Sequence, residues 1–80
     1  PLPYTSSTPV EEIKKHMSLE DALHLRIEKG VCKDMTLEEI SVERFPNLRW
    51  YIYGYRGDDN ILRAAAQIVW DSLQEGNKAG

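Results

Sequence analysis

Helix punctuation constrains this chain more than any other feature. Thr8-Pro9-Val10-Glu11 places a capping hydroxyl before a proline suited to the first helical position, with Glu11 at the third. Val10, Ile13 and Met17 then recur at about helical spacing. Ser18-Leu19-Glu20-Asp21 repeats the theme with Asp in place of Glu, and Leu19, Ala22, Leu23 and Ile27 form one apolar stripe. Gly30 is a natural stop for that helix, with Val31 placed to pack back on its last turn. Thr36-Leu37-Glu38-Glu39 is a full capping box, and Met35 and Ile40 can staple it. That helix runs to about Arg44 and must stop near Phe45, because Pro46 drives the residue before it out of the helical region. Asp58 or Asp59 caps a last helix carrying Ile61, Ala65, Ile68 and Leu73, with Arg63, Gln67 and Asp71 opposite and Gly76 at its end.

The segment Asn47 to Arg56 fits two patterns. As a strand it alternates Leu48, Trp50 and Ile52 against Arg49, Tyr51, Tyr53 and Tyr55. As a helix it gathers Leu48, Tyr51 or Ile52, and Tyr55, with Pro46 in the first turn. No other segment reads as a strand to pair with it, so a helix is expected, weakened at its end by Gly54. The expected fold is an all-α bundle of four or five short helices. Its core is expected to hold Leu19, Leu23, Ile27, Ile40, Phe45, Leu48, Ile52, Leu62, Ala65, Ile68, Val69 and Leu73.

At 80 residues the chain has room for one domain and little material for a deep catalytic cleft. Residues 1–8 and 76–80 read as flexible linkers around a domain at 9–75, and the chain reads as part of something longer. No apolar run reaches the roughly 20 residues that span a bilayer, so no membrane partner is expected. The single cysteine, Cys32, cannot form an internal disulfide, which points to an intracellular setting, cytoplasm or nucleus.

Motifs for catalysis are missing. There is no phosphate-cradling glycine loop, no cysteine pair and no His-Glu-x-x-His. His16, His24 and Cys32 recur at a spacing that matches no ligand pair on one helix turn, so they read as exposed histidines and a buried thiol. No enzyme activity, metal, cofactor or small-molecule substrate is expected. Arg56-Gly57-Asp58 spells an adhesion tripeptide, but Gly57 suits a left-handed helix stop and Asp58 the next helix start.

The aromatic block carries more weight. Trp50, Tyr51, Tyr53 and Tyr55 lie between Arg49 and Arg56 in a chain of net charge -3. Trp, Tyr and Arg dominate the binding energy of protein interfaces, while a net negative charge works against counterion-driven nucleic-acid binding. The expected partner is therefore a protein or a second copy of the chain, met by Arg49, Trp50, Tyr53, Arg56 and Trp70. The alternative is nucleic acid. Residues 36–55 can be laid onto a helix-turn-helix with Phe45-Pro46-Asn47 at the turn and Asn47, Arg49, Tyr53 and Arg56 facing DNA. Phe45-Pro46 stands where that motif has glycine.

Ile27-Glu28-Lys29-Gly30, Thr36-Leu37-Glu38-Glu39-Ile40, Phe45-Pro46 and Tyr53-Gly54-Tyr55-Arg56-Gly57 together resemble a known segment. It is the helical piece that joins nuclease to helicase in rolling-circle replication initiators of small single-stranded-DNA viruses. The likeness spans residues 27–57 of the 80. It implies a helical element that helps a larger protein assemble. The family's metal-binding histidine pair, catalytic tyrosine motif and helicase phosphate loop have no counterpart here, so no catalytic residue is implied.

Overall fold

The longest element, α5 (Asn60–Ala79), organises everything else. Asp59 caps it: its Oδ1 accepts from the N–H groups of Ile61 and Leu62 at 3.0 and 3.3 Å. Ala64, Ala65, Ala66 and Val69 are buried on it, and these small side chains let neighbouring helices approach closely. Those neighbours are α1 (Val10–His16), α2 (Leu19–Leu23), α3 (Leu37–Glu43) and α4 (Phe45–Tyr53), each of which touches α5. The computed structural model describes residues 2–79, and the architecture is the expected all-α bundle, with five helices. Across those residues α5 continues through Gly76, where the sequence pattern predicts a stop.

Besides Asp59, the capping signals hold at two further sites and shift at one. Thr36 Oγ1 accepts from the Glu39 N–H at 3.2 Å, and Glu39 Oε1 accepts from the Thr36 N–H at 2.9 Å. These bonds from Thr36 hold the Glu39 carboxyl below its ordinary pKa. Ser18 and Asp21 form the same reciprocal pair at the start of α2. Thr8, by contrast, does not cap α1. Its Oγ1 accepts from Thr5, and Pro9 precedes the helix with no side-chain cap. Thr36→Ala is expected to cost about 1 kcal/mol of stability, read as a lower urea midpoint with an unchanged slope.

α2 is shorter than its apolar stripe suggests. It ends at Leu23, and the chain becomes extended, forming an isolated antiparallel bridge between Arg26 and Thr36. The Ile27 N–H donates to the Met35 carbonyl at 2.9 Å, and the Leu37 N–H to the Leu25 carbonyl at 3.0 Å. Leu25, Arg26 and Ile27 alternate half-buried, exposed and buried, as an extended segment requires. Between the paired segments Gly30 adopts φ +94° and Asp34 φ 73°, so Gly30 serves this turn and not a helix stop.

The core differs from expectation in membership more than in place. Ile27, Ile40, Leu48, Ala65 and Val69 are buried as anticipated, and Leu23, Ile52, Leu62, Ile68 and Leu73 pack partly buried around them. Leu19 (40 % exposed) and Phe45 (41 % exposed) are not core residues: each stands at the first position of its helix, on the water side. Their place is taken by Ile13, Met17, Leu37 and Cys32. Tyr4 is also buried, and the Asn60 N–H and Nδ2 donate to the carbonyls of Ser6 and Thr8 at 2.9 Å each, tying the segment before α1 to the start of α5.

Candidate functional site

α4 carries the aromatic block as far as Tyr53, and it is a helix; Tyr55 and Arg56 lie beyond its end. Arg44 is a one-residue break after α3, and Pro46 sits in the first turn, where its missing N–H costs nothing. The helix turns Leu48 and Tyr51 into the core. At 3.6 residues per turn, Arg49, Trp50 and Tyr53 then fall on one outward side. Trp50 is 50 % exposed and Tyr53 70 %.

Two ring clusters flank this side. In the first, Phe45 stacks on Trp70 with centroids 5.5 Å apart, and Tyr53 meets Trp70 edge-on at 6.0 Å. The Arg49 guanidinium lies 5.9 Å from the Tyr53 ring. In the second, Trp50, Tyr51 and Tyr55 contact one another edge-on at 5.2 to 6.2 Å. Arg63 covers Tyr55 at 5.0 Å and donates to the Gly57 carbonyl. Gly54 is required by close approach: a Cβ there would lie 2.5 Å from Trp50 Cδ1. At Gly57 a Cβ would strike the Tyr55 ring, so glycine serves clearance there and not a left-handed stop.

The second cluster walls a groove of about 1170 Å³. Trp50, Tyr51 and Tyr55 form one side, and the 26–31 loop forms another. Asn47, Asp58, Asp59 and the start of α5 also line it. The groove was not foreseen from the sequence, because it depends on the 25–37 bridge.

The structure brings Arg49, Tyr53 and Trp70 into contact, with Trp50 on the adjoining side of α4. Arg56 is exposed in the loop beyond the end of α4. Asn47 lines the groove, away from Arg49 and Tyr53, so the four residues of the helix-turn-helix alternative do not share one helix face. Phe45, which was not among the expected residues, stacks on Trp70 and so adjoins this cluster. His16 and His24 are exposed and Cys32 is buried. Among the described residues no group of three or more His, Cys, Asp or Glu side chains could hold a metal ion. Among them, too, no helix is long and apolar enough to cross a membrane.

Tyr51 anchors the inner edge of the site. Burial, with Cys32 and Tyr55 beside it, pushes its phenol up to about 12. The unfolded chain loses this proton near pH 10, so the stabilisation is complete below that and is lost as the pH rises toward 12. The steepest slope expected from this group, midway between the two values, is about 1 kcal/mol per pH unit. Tyr51→Phe should remove about 1.3 kcal/mol from the stability loss that the parent shows between pH 9 and 11, measured by urea unfolding of both.

Comparison with family models, with curated proteins and with solved structures finds no match to this chain.

Proposed function

We propose that this domain is a non-enzymatic interaction or assembly module, which docks a protein partner through the outward side of α4. The observation that carries this reading is the pair Trp50 and Tyr53, one helical turn apart and both at least half exposed. Large rings cost a soluble domain solubility when left in water, and contiguous exposed apolar surface of this kind marks binding sites. The rings are also held: Tyr53 between Arg49 and Trp70, Trp50 between Tyr51 and Tyr55. A ring already fixed in place loses little side-chain freedom on binding. The resemblance to a linking segment of replication initiators implies the same kind of role, assembly within a larger machine.

A photo-crosslinking amino acid at position 53 tests this. Adducts to protein are expected from position 53 and not from position 15 on the exposed side of α1, and Trp50→Ala should abolish them. On the captured partner, Trp50→Ala should cost about 2 kcal/mol or more, roughly 30-fold in affinity. Equal labelling from both positions, or unchanged affinity with a folded variant, contradicts the reading. A salt titration separates it from the nucleic-acid alternative. Docking through rings should respond weakly to salt, whereas duplex binding through Arg49 and Arg56 should fall steeply.

A further inference from the structure

We infer that the groove beside α4 receives a basic side chain, lysine or arginine, presented by the protein partner. This rests on the docking reading and names the chemistry of what is docked. Three observations converge on it. The first is the wall: Trp50, Tyr51 and Tyr55 meet at interplanar angles of 64° to 82°, and Trp50 keeps half its surface open to water. The faces of such rings carry negative potential and attract cations. The second is charge. The groove is lined by Glu28, Asp58 and Asp59 against Arg26 and Lys29. Arg26 is turned to the Asp34 carbonyl, to which its Nη1 donates, and keeps its charge, so the lining carries one net negative charge. Among the described residues no ion pair involves Asp58 or Asp59, and Asp59 spends one oxygen on the cap of α5. The third is a rehearsal of the same contact within the fold. Arg63 lies over Tyr55 and is fixed by the Gly57 carbonyl, so a cation is already held against one ring of this cluster. A basic side chain entering beside Trp50 would meet the open ring and unpaired carboxylate charge together. An acidic or phosphorylated segment would meet repulsion.

Three small probes test this on the intact chain: the N-acetyl methylamides of lysine, arginine and norleucine, the last a neutral match to lysine in length. Each is titrated while the Trp50 and Trp70 indole N–H resonances are followed by NMR. The expected result is a saturable shift at Trp50 for the two cations, with millimolar dissociation constants, and none for norleucine or at Trp70. Asp58→Asn, which leaves the Asp59 cap in place, should weaken cation binding about fivefold. Norleucine binding as well as lysine, no saturable shift with any probe, or Asp58→Asn binding unchanged would each overturn the inference. None of these outcomes bears on the crosslinking from position 53, so failure here and failure of the docking reading remain distinguishable.

Discussion

Leu48→Ala is expected to lower the unfolding free energy by about 3 kcal/mol, measured as the shift in urea midpoint at constant slope. Leu48 is fully buried on α4, and α4 rests on both α3 and α5. Truncating a buried leucine removes its transfer free energy and leaves a void that close-packed neighbours cannot fill. A domain of 80 residues has about 4–12 kcal/mol of stability in all, so this one side chain accounts for a large share. The same variant loosens the one helix that presents Trp50 and Tyr53. Its loss of partner capture should therefore follow its loss of folded population and be regained under stabilising conditions, unlike that of Trp50→Ala.

Ala65→Leu is expected to cost a similar amount, about 3 kcal/mol, by the opposite route. Ala64, Ala65 and Ala66 are all fully buried on α5, which α1, α2, α3 and α4 all touch. Three consecutive buried positions cover more than half of a helix's circumference, so the helix is enclosed there and has no open side to receive extra methylenes. The expected signature is a lower midpoint with the helical circular-dichroism signal retained at low denaturant. Gln67→Leu, at a half-buried site two residues on, should change the unfolding free energy by less than about 0.5 kcal/mol.

Most of the helices were legible because their starts are written in local chemistry. Thr36 with Glu39, Ser18 with Asp21, and Asp59 ahead of Asn60 act within a few residues, so sequence spacing alone exposes them. Thr8 shows the limit: the same residue type bonds backward to Thr5, a choice no pattern of spacing reveals. The bridge between Arg26 and Thr36 was hidden for a related reason. Leu23, Ile27 and Ala22 satisfy a helical period, while Leu25 and Ile27 equally satisfy a period of two, and only pairing with residues 34–37 selects the second. The groove depends on that pairing and was hidden with it.

The outward side of α4 was legible as residue types but not as geometry. Arg49, Trp50 and Tyr53 follow from helical spacing once the strand alternative is set aside. Trp70 joins them because α5 packs on α4, and Phe45 joins because it stacks on Trp70 instead of entering the core. Which rings a small core admits is settled by packing among five helices, a long-range property.

Tryptophan quenching by acrylamide tests the central claim, that α4 holds a large ring in water. In Trp70→Phe the sole remaining indole is Trp50, and in Trp50→Phe it is Trp70. The account predicts a clearly larger quenching constant in the first variant than in the second, with both folded. Equal constants, or a better-shielded Trp50, would contradict it.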